Sequence, residues 1–346
     1  MKKVLIIRMS ALGDVAMTIP VIYSVAKRYP DTRFTVLTQA FPANFFINPP
    51  ANVSILTADT RGEYRGVKGL IKLVSRLKRE RFDAVADLHD VLRSKVIRTA
   101  MRLSGIPAAF IDKGRKEKKA LVRAVDPVRR QLDSSFDRYA EVFRSLGFSF
   151  ESDFRTVFGE TPADTSFLKV TGEKTGNWIG FAPFAKHAGK ILPMEKCEEL
   201  IAALSQNPQN TLFLFGAGAG EKSKLEEWSG RYPHTVSLAG KIRIREEIAL
   251  MSYLDVMVSM DSANMHLASL TATPVVSIWG ATHPYTGFLG WNQSPENAVG
   301  LPMDCRPCSV FGNKPCRTGD YACLTRLSIK PITDRINAII EQRNRK

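Results

Sequence analysis

The chain of 346 residues is 44% apolar and 24% charged, an ordinary globular composition with room for about two domains. No apolar run approaches the roughly 20 residues of a membrane-spanning helix, and the apolar stretch at 4–7 is too short for a signal peptide, so a cytoplasmic protein is expected. The net charge of +15 is concentrated in residues 1–160, which hold 29 Lys+Arg against 17 Asp+Glu; such a bias suits an acidic substrate, an anionic lipid surface or nucleic acid, or is a solvated basic face.

In chain order, short apolar runs alternate with amphipathic helical patterns. This is the signature of strands joined by crossover helices in a parallel sheet, so the fold class is α/β. The first half has strand runs at 4–8, 34–37, 53–56 and 84–88, and a shorter one at 109–111. The helical period is clearest over 67–79, where Leu70, Ile71, Val74 and Leu77 fall on one side and Lys or Arg opposite. A helix over 134–146 stops at Gly147. A polar stretch at 161–174 reads as a linker between a domain at 1–160 and one at 175–346. The second series of strands falls at 178–182, 212–215, 236–238, 256–258 and 275–279. Two Rossmann-like domains in tandem imply a cleft between them, and open parallel sheets bind ligands beyond the carboxyl ends of their strands.

Chemistry is therefore sought just after strands. The turn from Arg8 through Ser10 and Gly13 to Asp14 lacks the three spaced glycines of a dinucleotide fingerprint. Asp14 has two readings, a general base for an acceptor hydroxyl or the N-cap of the next helix. After the strand at 178–182, Ala185, Lys186, His187 and Lys190 lie in a loop. Lys190 suits charge developing on a departing phosphate, or is a surface lysine. In the glycine-rich turn that begins at Gly216, Glu221 either accepts from a ribose hydroxyl or favours the positive helix end. From Asp261 through Ser262 and Ala263 to His266, a strand gives way to a helix whose free amides, with the Ser262 hydroxyl, suit a phosphate. Asp261 caps that helix or contacts a nucleoside, and His266 bonds a phosphate or packs in the interior.

Together these segments resemble the heptosyltransferases of lipopolysaccharide core synthesis, the ninth glycosyltransferase family, over nearly the whole chain. Ser10-x-Leu12-Gly13-Asp14 with Thr18-x-Pro20, Lys190-x-x-Pro193 and Asp261-Ser262-x-x-x-His266 carry the likeness. The resemblance implies a GT-B fold and an inverting transfer, with an acceptor-binding amino-terminal domain and a carboxy-terminal domain for the nucleotide sugar. ADP-heptose is the usual donor, the lipid A-linked core is the acceptor, and no cofactor is required for catalysis. By position, Asp14 is implied as the base and Lys190 as the diphosphate-binding lysine. Ala185, Lys186, Gly216, Glu221, Asp261, Ser262, Ala263 and His266 fall on the donor side. Ser10, Gly13, Arg61, Arg93, Lys113 and Arg115 fall on the acceptor side. Ala263 stands where the family usually has glycine. Peripheral contact with an anionic membrane surface is expected, and nucleic acid is not.

Cys305, Cys308, Cys316 and Cys323 have a spacing that allows a structural zinc, with reduced thiols as the other reading, while Cys197 reads as core. Three rivals stand. A nucleic-acid-binding protein rests on charge alone and lacks a recognition module, and a dehydrogenase would need the missing fingerprint. A transferase of the same fold using another nucleotide sugar differs only in its donor.

Overall fold

In the computed structural model, which describes residues 2–345, the apolar runs become strands of two parallel sheets. The first sheet is built from β1 (Lys3–Ile7), β2 (Arg33–Thr38), β3 (Val53–Thr57), β4 (Ala84–Asp87) and β5 (Ala108–Phe110), in the order β3-β2-β1-β4-β5. Its connections are α1 (Leu12–Arg28), α2 (Ala40–Ala43), α3 (Gly66–Arg79) and α4 (Leu92–Arg102), followed by α5 (Arg115–Leu121) and α6 (Ser135–Arg144). α1 is buried from Val15 to Ala26, as a helix with apolar residues on every side must be. Its outer side is covered by α6. α3 has the predicted amphipathic character, with Leu73 and Leu77 inward, and Gly69 is required because a Cβ there would collide with the Tyr64 backbone.

After α7 (Leu168–Thr171), the second sheet uses β6 (Asn177–Ala182), β7 (Asn210–Leu214), β8 (Thr235–Ser237), β9 (Val256–Met260), β10 (Val275–Ile278) and the two-residue β11 (Ala298–Val299). Their order is β11-β10-β9-β6-β7-β8. The intervening helices are α8 (Met194–Ser205), α9 (Ala219–Arg231), α10 (Ile244–Met251) and α11 (Ala263–Ser269), and the chain closes with α12 (Ala322–Thr325) and α13 (Lys330–Asn344). Every residue of β9 and β10 is buried, the pattern of parallel strands covered by helices on both faces. Cys197 lies in this core as expected, and burial pushes its thiol up to about 12.

The chain divides into two units. One runs through Lys113 and resumes over Asp133–Thr161, while the other takes Gly114–Leu132 and everything from Pro162 onward. Residues 114–132, read from sequence as part of the first domain, group with the second for definite reasons. The Lys118 ammonium lies 4.1 Å over the Phe288 ring, Arg317 donates to the Val122 carbonyl at 2.8 Å, and the Leu132 amide donates to the Tyr285 carbonyl at 3.0 Å. The 161–174 segment is not wholly a loose linker, because Phe167 is buried against Trp178 and Tyr253.

Candidate active site

In each sheet the order of strands reverses beside the first strand, between β1 and β4 in one and between β6 and β9 in the other. Such switch points are where open parallel sheets leave room for a ligand. In the first unit the register Ile7↔Asp87 sets Arg8 and Leu88 abreast, and Arg8 donates to the Leu88 carbonyl at 2.6 Å. The Arg8 guanidinium is buried and meets Asp14 Oδ2 at 2.6 Å, where the Ala11 amide also donates at 3.3 Å. The N-cap residue of α1 is Ala11, and Asp14 caps the helix from its third position, the carboxylate being aimed back across the turn to accept from the Ala11 amide.

Asp87 shapes the other half of this switch point. It is fully buried, its Oδ1 accepts from the amides of His89 and Asp90 at 2.9 Å each, and its Oδ2 accepts from Arg98 of α4 at 2.9 Å. That turn brings His89 Nε2 to 3.4 Å from the Ser10 hydroxyl. Burial, with the charges of Arg8, Lys113 and Arg93, pushes the His89 imidazole down to about 3. It is therefore neutral at physiological pH, and its Nδ1 is buried without a hydrogen-bond partner. Ser10, Asp14, Arg93 and Lys113 thus gather around a histidine that sequence reading passed over, with Gly13 in the adjoining first turn of α1. Arg61 lies in a separate turn after β3, whose shape is fixed by Asp59 accepting from the Arg61 and Gly62 amides. Arg115 is carried by the second unit. The signal that could have found the missed groups is an arginine at the end of an apolar strand, and an Asp-x-x-Asp turn after β4 with Arg98 one α4 face away.

In the second unit Lys190 follows β6 and Asp261 follows β9. The Lys190 ammonium lies 2.9 Å from Asp261 Oδ2, which also accepts from the Thr282 hydroxyl at 2.8 Å. Asp261 is buried at 3% exposure. The reading of Asp261 as a helix cap is corrected, since the N-cap of α11 is Ser262 and Asp261 instead holds the lysine. The Ser262 hydroxyl stands 3.2 Å from that of Ser259, Ala263 opens the helix, and His266 is buried one turn in. Glu221 folds back so that its Oε2 accepts from the Ala217 amide at 2.7 Å, and Gly216 leaves room for this, since a Cβ there would press on Leu225 and Glu221. Ala185 packs at the edge of the core beside Phe184, and Lys186 is exposed.

Residues 305–323 brace this site. Arg306 is buried and donates to the carbonyls of Gly280 at 2.6 Å, Trp279 at 2.7 Å and Thr282 at 3.2 Å, and also to that of Leu301. The amides of Cys308 and Ser309 both donate to the Ala281 carbonyl. Gly312 packs against the Lys190 stem so closely that a Cβ would strike it. The zinc expectation is corrected here. Cys305, Cys308, Cys316 and Cys323 are free thiols, and among the described residues no group of three or more His, Cys, Asp or Glu is placed to hold a metal ion. The thiols lie near one another and beside the Arg306 guanidinium, which Cys323, Cys305 and Cys308 surround. No helix among the described residues is long and apolar enough to cross a membrane.

Comparison with known proteins places these two constellations in context. The family model for glycosyltransferase family 9 (heptosyltransferase) matches residues 70–318. The lipopolysaccharide core heptosyltransferase OpsX of Haemophilus influenzae is 23% identical over 287 residues, 82% of this chain and 80% of its own length. The lipopolysaccharide heptosyltransferase 3 of Escherichia coli is 25% identical over 304 residues, 83% of this chain and 84% of its own. Among solved structures, that of the E. coli heptosyltransferase WaaC with ADP superposes with a TM-score of 0.68 at 19% identity, covering 96% of this chain and 99% of the other.

Proposed function

Because the chain belongs to glycosyltransferase family 9, the heptosyltransferases, and has their GT-B fold, we propose that it transfers heptose from ADP-heptose to the lipid A-linked core of lipopolysaccharide with inversion at the anomeric carbon. The observation that carries this reading is the placement of Asp14. A carboxylate held at 2.6 Å by a buried guanidinium, beyond the carboxyl end of a central strand, is a preorganised proton acceptor. In the proposed step Asp14 takes the proton of an acceptor hydroxyl and the oxygen bonds to the anomeric carbon. The bond from that carbon to the diphosphate breaks as this bond forms. Lys190 and the Ser262 hydroxyl neutralise and bind the departing ADP, and Glu221 accepts from its ribose. Ser10, Arg93 and Lys113 hold the anionic acceptor, with Arg61 and Arg115 as further cations toward it. The names of the relatives support a lipopolysaccharide acceptor and a heptose donor. The protein works at an anionic membrane surface, where such an acceptor resides.

Titration calorimetry with ADP, GDP, UDP and dTDP, with and without magnesium, tests the donor. Selective, magnesium-independent ADP binding is the expected result, whereas preference for another nucleotide would keep the fold and replace the donor.

A further inference from the structure

Among the described residues of the second unit, Phe311 is the one strongly exposed aromatic side chain, at 54%. A single exposed ring is commonplace, but this one is held in place. It stacks on the ring of Phe288, with centroids 5.7 Å apart and planes 26° from parallel, and the Lys118 ammonium lies 4.1 Å over Phe288 in turn. The backbone on both sides is tied as well. Before the ring, the Cys308 and Ser309 amides donate to the Ala281 carbonyl at 3.1 Å each, and the Ala281 amide donates to the Gly189 carbonyl at 2.7 Å. After it, Gly312 is pressed so closely on Lys190 that an added Cβ would stand 2.6 Å from its Cγ and 3.3 Å from its Cε. A closed circuit of contacts thus fixes Phe311 next in the chain to the glycine that touches the stem of Lys190.

Strand order decides which part of a donor meets this ring. The second sheet runs β10-β9-β6-β7 through its middle. Glu221, proposed for the ribose, follows β7, whereas Lys190 and Ser262, proposed for the diphosphate, follow β6 and β9. Ala281, Thr282 and Phe288 follow β10, and the turn that carries Phe311 is bonded to that loop. A nucleotide sugar laid across the strand ends, with its ribose at β7 and its diphosphate between β6 and β9, brings its sugar and not its base to the β10 side. The chemistry fits as well. The face of an aromatic ring is the negative side of its quadrupole and attracts the C–H side of a pyranose.

We propose that Phe311 is the platform against which the ring of the transferred sugar rests, so that it discriminates the sugar of the donor rather than its nucleotide. This role rests on the donor placement of the function proposed above. Because the ring is already fixed by Phe288 and by the Lys190 contact, little side-chain freedom is lost when the sugar settles on it.

The test is calorimetric titration of the full chain with ADP and with ADP-heptose, without acceptor, for the parent and for Phe311→Ala, Phe311→Leu and Phe311→Tyr. Phe311→Ala is expected to weaken ADP-heptose binding about tenfold and to leave ADP within about twofold. Phe311→Leu keeps an apolar side chain on Phe288 without an aromatic face and should lose as much, while Phe311→Tyr keeps the face and should match the parent. The proposal is overturned if the ratio of the two affinities is unchanged in Phe311→Ala. Both affinities falling together would make the ring a brace for Lys190 or a contact for the base, and neither moving would leave it unused. Full binding of ADP-heptose by Phe311→Leu overturns it too, since bulk would then carry the contact. A parent that prefers another nucleotide overturns the proposed donor instead, and the same ratio is then read between that nucleotide and its diphosphate sugar. A parent that binds no nucleotide overturns both.

Discussion

Asp14, Lys190 and His89 are three side chains whose roles depend on what holds them. Asp14→Asn removes a proton acceptor while Arg8 keeps a polar partner, so turnover is expected to fall by at least about a hundredfold. ADP affinity measured by calorimetry should stay within about twofold, because the groups proposed to bind the donor belong to the other unit; unchanged turnover would take the base role from Asp14. Lys190→Ala leaves the buried Asp261 carboxylate with Thr282 alone, so it should cost both ADP affinity and stability, the latter by about 3 kcal/mol. Adding Asp261→Asn should restore the melting temperature without restoring ADP binding. That split separates a lysine acting on the diphosphate from one acting only as a counter-ion. His89 is held below its ordinary value of 6.5, at about 3. The folded state therefore favours the neutral ring, and the stability this contributes is full above about pH 6.5 and lost as pH falls toward 3. His89→Gln should flatten that acid limb in a denaturant titration series, and an unaltered slope would show that another group sets it.

At the scale of elements, strands and the longer helices were legible because burial imposes a period. The helical period of α3 needs no partner to be seen, although its buried face is centred on Leu73 and Leu77 and leaves Ile71, read from sequence as inward, exposed; the apolar runs at β6, β9 and β10 follow from being covered on both faces. α5 was not legible. Its Lys118 is buried over Phe288, a contact 170 residues distant in sequence that no local pattern encodes. The 305–323 segment misled for the same reason, since the spacing of its cysteines is local whereas the carbonyls that claim Arg306 come from the loop after β10. If this segment is a brace rather than a metal site, a chelator should leave the melting temperature unchanged. Gly312→Ala, at a positive φ and against the Lys190 stem, should by contrast weaken ADP binding about tenfold while all four thiols remain. A chelator-induced fall in melting temperature would reverse that assignment.

For the whole molecule, the proposed division of donor and acceptor between the units predicts where a ligand is felt. ADP at about a hundred times its dissociation constant should add about 2.7 kcal/mol to the opening of the unit that binds it. In hydrogen exchange, that protection is expected after β6, β7 and β9 of the second unit, leaving the sheet of the first unit as it was; protection centred on β1 and β4 would move the donor site. The sequence by itself determined the α/β class, the order of strands and helices, and the strand ends where chemistry belongs, because these follow from periodicity and from the short motifs at Asp14, Lys190 and Asp261. Tertiary structure alone decided that Arg8 grips Asp14, that Asp261 grips Lys190, that His89 lies between Arg93, Lys113 and Ser10, and that Arg306 ties the cysteine-rich segment to the loop after β10. Arg8 and Asp14 meet across one turn, but Ser10 and His89, and Lys190 and Asp261, are brought abreast by the register of parallel strands far apart in the chain, and a register is set by the packing of whole sheets, which no single segment contains.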